Sequence, residues 1–313
     1  MFQPLILVAL VGCSGGPDGP SDDSSGVSER GFRVEGGVFS SLSVGVAGSP
    51  GVCVLDESEI PRCWAVPTGA GEKCLAPRAE PARQVVGGTN GICVLTASGS
   101  VECTEAYPVS GRVPPVLPGS FTHIDHESTL ICGVGEEGAA CSADLTCGPA
   151  IPPMDDATSI KVEWGSPGYA CALDAAGSYR CWGNYPQSNC DESEETDCLC
   201  SPLDEVYSAG PYTQVSHGVC GLRPDGTIDC PLSFAIPPSG EFSTIGGRYF
   251  PAAIRTDGVV VYWATVSVDP TALDTPDGTF IAVETDRDLT CGLYADGGLE
   301  CWGLRVDEFV ACE

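Results

Sequence analysis

Cysteine is the residue type most able to do chemistry in this chain, and its spacing is regular. Among nineteen cysteines, Cys53/Cys63, Cys93/Cys103, Cys171/Cys181, Cys220/Cys230 and Cys291/Cys301 stand ten apart, and Cys132/Cys141 nine apart. No Cys-x-x-Cys occurs and the only histidines are His123, His126 and His217, so the close-spaced signature of a zinc site is missing. Disulfide chemistry is the expectation.

Other candidates are few. His123-Ile124-Asp125-His126 offers imidazole and carboxylate donors, but counterparts elsewhere in the chain carry Gln or Ser, so a partly exposed strand is expected in preference to a metal site. Asp191, Glu192, Glu194, Glu195 and Asp197 supply oxygens of the kind calcium uses. They show no EF-hand spacing, and a solvated acidic loop held by disulfides is the expectation. There is no His-Glu-x-x-His, Gly-x-Ser-x-Gly, Gly-Lys-Ser/Thr phosphate loop or Gly-x-Gly-x-x-Gly. No catalytic residue, metal or cofactor is assigned.

The elements that position the cysteines form a repeat. Copies begin at 53, 93, 132, 171, 220, 252 and 291, in steps of 40, 39, 39, 49, 32 and 39. The copy at 252 lacks both cysteines together, with Ala252 and Tyr262 in their places. That joint loss is what a bond between the two sulfurs of each unit predicts. Periods of this length mean solenoids or propellers.

Each unit reads as strands. Upstream of the first Cys lie two apolar or small residues three apart: Phe39/Leu42, Ala82/Val85, Phe121/Ile124, Ala157/Ile160, Tyr212/Val215, Phe242/Ile245 and Phe280/Val283. Counting the first Cys as zero, position six is Gly99, Gly138, Gly177, Gly226, Gly258 and Gly297. A loop at positions four to six, closed by a positive-φ Gly after a type I turn, makes position zero face position ten. The cysteines then become cross-strand neighbours. Positions two and eight are mostly Leu, Ile or Val and share the core face, whereas position nine is mostly charged (Arg62, Glu102, Arg180, Asp229, Glu300). No sustained helical period occurs, so the fold class is all-β. Each ten-residue bridge is worth about 2–3 kcal/mol in the chain-entropy picture.

Composition narrows function and address. With 14 Lys+Arg against 43 Asp+Glu, a net charge of −29, the chain is unsuited to nucleic acid. The apolar run ending at Gly12 is too short for a membrane span and reads as a signal peptide over residues 1–12. Leu10-Val11-Gly12-Cys13 resembles a bacterial lipobox, which implies lipidation of Cys13. Residues 13–32 then form the lipidated Cys and a Gly/Ser/Asp-rich tether, and 33–313 the repeat body with an insertion at 186–202.

Cys171-Ala-Leu-Asp-Ala-Ala-Gly-Ser-Tyr-Arg-Cys181-Trp182-Gly183 and Cys291-Gly-Leu-Tyr-Ala-Asp-Gly-Gly-Leu-Glu-Cys301-Trp302-Gly303 resemble the regulator of chromosome condensation repeat. The resemblance covers nearly all of 33–313 and implies a seven-bladed β-propeller, ring-closed by segments near Phe32–Val34 and Glu308–Val310. The family's Gly-x-x-His before the first Cys is absent here, and Trp after the second Cys survives only as Trp64, Trp182, Trp263 and Trp302. Nucleotide exchange on a nuclear GTPase is therefore not carried over. The resemblance extends to secreted bacterial propellers, one of which inhibits β-lactamase by binding it.

The expected function is a non-catalytic, exported, monomeric lipoprotein that binds a protein or surface ligand. It would sit in the bacterial cell envelope, at the outer membrane or cell surface. Tyr107, Tyr185 and Phe234 occupy position fourteen of three units and are the candidate partner-binding residues. The alternatives are a hydrolase using carboxylates in the central channel and a structural envelope component. Cys74, Cys147, Cys190, Cys198, Cys200 and Cys312 lie outside the hairpins, with Cys74–Cys312 a candidate bond across the ring closure.

Overall fold

The computed structural model describes residues 31–34, 37–45, 51–67, 81–88, 91–105, 117–127, 130–142, 154, 156–163, 169–183, 205–207, 211–216, 220–230, 236–247, 251–263, 275–286, 289–303 and 306–312. The hairpin is the unit from which it is built. In the second copy Gly99 N–H donates to Thr96 O at 3.0 Å and Thr96 N–H to Ser100 O at 2.9 Å, with Gly99 at φ 89°. Both bonds recur around Gly177, Gly226, Gly258 and Gly297. The first copy uses Glu59 at φ 62° in the same place. The third copy is one residue shorter, so Gly138 pairs opposite Gly135 and only two residues turn the corner there, not three.

These turns bring each cysteine pair face to face. Six disulfides result, at Cys53–Cys63, Cys93–Cys103, Cys132–Cys141, Cys171–Cys181, Cys220–Cys230 and Cys291–Cys301. Ala252 faces Tyr262 in the copy without sulfur.

Against each hairpin lies an inner strand. A regular strand puts residues three apart on opposite faces, yet Ala82/Val85, Phe242/Ile245 and Phe280/Val283 are buried together. The register slips within them, between Ala82 and Gln84, Phe242 and Thr244, and Phe280 and Ala282. The extra residue of a bulge turns the first side chain back to the core.

Among the described residues there are seven antiparallel sheets, each built on inner, middle and outer strands. In blade 7 these are Phe280–Asp286, Leu289–Tyr294 and Leu299–Gly303. Seven apolar clusters each join consecutive blades, and one of them packs Val52 and Val54 of blade 1 on Leu293 and Leu299 of blade 7. The ring is closed. Middle strands such as Gly51–Leu55 and Gly91–Thr96 are buried on both faces. The expectation of a single core face is therefore corrected, because each blade is sandwiched between two others.

Both chain ends tie the ring. Phe32–Val34 forms a fourth strand on blade 7, with Arg33 opposite Glu300. Val310–Ala311 forms a fourth strand on blade 1, opposite Ala65 and Trp64. Pairing begins at Val310, not at Glu308, since Val306–Glu308 is a 3-10 turn. A third added strand, Glu205–Tyr207, extends blade 4. Cys312 N–H donates to Cys63 O at 2.9 Å and Cys312 is disulfide-bonded. Its partner lies outside the described residues, as do Cys74, Cys147, Cys190, Cys198 and Cys200.

Candidate functional site

Two surfaces are candidates: the central channel and the face carrying the hairpin tips. The inner strands line the channel, with Ser43, Asp125, Lys161 and Glu284 each standing opposite the first Cys of their blades. A cavity of about 40 Å³ is lined by Ser41, Ser43, Gln84, Asp125, Lys161 and Glu284, among others. That is room for about one or two waters.

Its polar groups fasten blade to blade. Ser41 Oγ accepts from Val85 N–H at 3.0 Å and Ser43 Oγ from Gly87 N–H at 2.8 Å. Gln84 both donates to Ile124 O and accepts from Ile124 N–H, each at 2.9 Å. Gln214 Oε1 accepts from Ile245 N–H at 3.1 Å. Asp125 Oδ2 accepts from Val162 N–H at 2.6 Å, and Glu284 Oε2 from Gly247 N–H at 3.0 Å. Lys161 Nζ sits 3.8 Å from Glu284 Oε1, linking blades 4 and 7. Lys161 is one of only two lysines in the chain, and here it offsets carboxylates at the ring's centre.

His123 belongs to the same system. It stands opposite Val134 as Gln84 stands opposite Leu95. Its imidazole is hydrogen-bonded to the Ile160 backbone, at the place equivalent to Ile124 in the next blade. Burial first, then the charge of Lys161, lowers its pKa from 6.5 to about 3, so the ring is neutral at pH 7. His126 lies on the other side of the strand, fully buried, where a Cβ on Gly88 would come within 2.8 Å of Nδ1. The segment is thus more buried than the expected partly exposed strand. Its side chains diverge, and among the described residues no group of three His, Cys, Asp or Glu is arranged to hold a metal.

The second surface follows from topology. Inner strands start where hairpins turn, and the hairpin of one blade bonds the inner-strand entry of the next: Phe121 N–H to Gly99 O, Tyr212 to Gly177, Phe242 to Gly226, Phe280 to Gly258 and Phe39 to Gly297. Just inside each entry is an exposed residue: Ser40, Arg83, Thr122, Thr158, Thr213, Ser243 or Ile281. In four blades its hydroxyl donates to the facing strand, Thr122 to Val134 O, Thr158 to Leu173 O, Thr213 to Leu222 O and Ser243 to Ile254 O, at 3.1–3.2 Å. Acidic residues crowd this face, with Glu57, Glu136, Glu137, Asp225, Asp257 and Asp296 exposed at the tips.

Tyr107, Tyr185, Phe234 and Cys13 lie outside the described residues, as does the acidic insertion. The ties made by Gln84, Gln214 and His123 escaped the sequence reading. The signal was present as recurrent Gln or His just upstream of an apolar residue in the second, third and fifth copies.

Fold and disulfides define the protein as a seven-bladed β-propeller with hairpin disulfides in most blades. Its shape is similar to the CRINKLY WD40 ectodomain of the Arabidopsis thaliana receptor kinase ACR4, at 19% identity and a TM-score of 0.60, covering 86% of this chain and 96% of that one. The ectodomain of the Physcomitrella patens receptor kinase CR4 is similar at 19% identity and a TM-score of 0.58, with 85% and 74% covered. BBS1N, solved in complex with ARL6DN, is similar at 11% identity and a TM-score of 0.52, with 88% and 96% covered. No protein-family profile and no curated protein matches the chain.

Proposed function

We propose that the chain is an exported propeller that binds a protein or surface ligand without catalysing its conversion, anchored in a bacterial cell envelope by a lipid on Cys13. Membership of the regulator of chromosome condensation repeat family is part of this reading, carried by the Cys…Cys-Trp-Gly units. The observation that carries the binding role is the commitment of the channel's polar groups. Asp125 and Glu284, the carboxylates lining the cavity, accept backbone N–H groups of neighbouring blades. An acid and base for hydrolysis need carboxyl groups turned toward a substrate. The propeller BBS1N is held in complex with another protein, and the same kind of role is proposed here.

The partner-binding residues proposed are Tyr107, Tyr185 and Phe234, equivalent places on three units. The test is cross-linking capture from the native envelope, comparing the anchored protein with a Tyr107→Ala, Tyr185→Ala, Phe234→Ala variant. Loss of one specific partner from the variant supports the reading, and absence of any captured partner removes it. Labelled fatty acid incorporated into the protein but not into Cys13→Ala tests the anchor.

A further inference from the structure

We propose that the sector of the hairpin-tip face spanning blades 6, 7 and 1 docks a basic protein segment that presents a leucine-sized apolar side chain between its cations. This deepens the binding role proposed above and rests on it. The starting observation is Ile281. Its place is filled by Ser or Thr in five of seven blades, and in four of them the hydroxyl closes a bond to the facing strand. Ile281 makes no such bond and leaves its side chain 53% exposed. The fold gains nothing from that exchange, and a local rule broken without structural return points to a function.

Ile281 is not alone. Five large apolar side chains are exposed among the described residues, and three of them fall here: Val259 at 43%, Ile281 at 53% and Val38 at 56%. Val259 follows Gly258, whose carbonyl receives Phe280 N–H at 3.1 Å, so Val259 and Ile281 flank one backbone bond across the blade 6–7 junction. Val38 marks the next junction, since Phe39 N–H donates to Gly297 O at 2.9 Å. The three define consecutive steps around the ring.

Charge selects the occupant. Glu241, Asp277 and Asp296 are exposed beside these residues. The described cations around these tips are already engaged, Arg255 with Asp257, Arg62 with Asp56 and Arg33 with Glu300. Exposed apolar side chains bordered by carboxylates repel acidic partners and suit a segment mixing Lys or Arg with Leu.

The experiment uses the full chain and a synthetic peptide alternating lysine and leucine, with lysine-only and glutamate–leucine peptides as comparators. Affinity is measured at low and high salt, and the contact is mapped with a photoreactive version of the lysine–leucine peptide. The account expects binding by that peptide alone, weakening with salt, and cross-links to residues 257–259, 279–281 or 37–39. Ile281→Thr restores the residue other blades use, so it is expected to keep the thermal midpoint while weakening binding about ten-fold. Equal affinity for Ile281→Thr, equal binding of the lysine-only peptide, or cross-links confined elsewhere overturns the site. If an envelope partner is captured and Ile281→Thr leaves its capture unchanged, the site falls while the binding role stands. If no partner is captured, the binding role itself falls.

Discussion

Trp302 Nε1 donates to the Tyr262 hydroxyl at 2.7 Å across the junction of blades 6 and 7. Tyr262 stands where six other blades place their second cysteine, and Trp302 follows that cysteine in blade 7. The equivalent Trp182 and Trp263 follow blades ending in Cys141 and Cys230, and their buried indole N–H groups have no hydrogen-bond partner among the described residues. The blade that gave up its disulfide thus satisfies a donor that its counterparts leave unsatisfied. An intra-blade staple has been exchanged for an inter-blade one.

Tyr262→Phe removes the acceptor and orphans the indole. A loss of about 1–3 kcal/mol is expected in denaturant unfolding. Pairing Ala252→Cys with Tyr262→Cys should form a seventh hairpin bridge, detected by mass spectrometry without reduction, while stabilising by less than the about 2–3 kcal/mol of a bridge alone. A gain of the full amount would mean that the tyrosine contributes nothing.

His123 makes the fold acid-sensitive. Its pKa falls from 6.5 unfolded to about 3 folded, so folding favours the neutral ring. The associated stability is present above pH 6.5 and is lost progressively as pH drops toward 3. His123→Gln places at this position the residue that ties blades at Gln84 and Gln214. The variant is expected to hold its midpoint of unfolding across pH 6.5 to 4, where the parent declines. Parallel decline of both would remove His123 from the account.

The amino-terminal tie has a signature at the opposite end of the pH scale. Arg33 stacks 5.1 Å from the Tyr294 ring, Tyr294 donates to the Glu300 carboxylate, and Arg33 Nη1 lies 3.9 Å from Glu300. Burial, then Glu300, raises the Tyr294 pKa above its usual 10. Folding favours neutral phenol, so this contribution is complete below pH 10 and lost as pH rises beyond it. Hydrogen exchange at Phe32–Val34 should accelerate above pH 10, and Arg33→Ala should produce the same acceleration at neutral pH. Unchanged exchange in Arg33→Ala would show that strand pairing alone holds the closure.

Glu59 occupies a left-handed turn position that six other hairpins give to glycine. Glu59→Gly relieves that backbone and is expected to stabilise by about 1 kcal/mol, or about 2–4 °C in the thermal midpoint. A lowered midpoint would mean that the Glu59 side chain makes a compensating contact.

Much of this architecture was legible because it repeats. Cysteine spacing and the glycine at position six determine the hairpin register, and the joint loss at Ala252 and Tyr262 reveals the pairing. The bulge was visible only as apolar residues three apart, such as Phe280 and Val283, because its cause is burial against the preceding blade. Glu300 shows the limit most clearly. Its position predicts an exposed charge, yet it is 6% exposed, because Phe32–Val34, almost the whole chain away, pairs over it. The channel ties were harder to read, since Gln84 and Ile124 are forty residues apart and meet only when blade 3 packs on blade 2.

The central claim is that the channel fastens the ring while binding takes place on its outer faces. The direct measurement is cross-linking capture from the native envelope with two variants side by side, the rim triple Tyr107→Ala, Tyr185→Ala, Phe234→Ala and the channel double Asp125→Asn, Glu284→Gln. The account predicts that the channel double loses stability but retains the partner captured by the parent, while the rim triple folds and loses it. Capture abolished by a folded channel double and retained by the rim triple would contradict it.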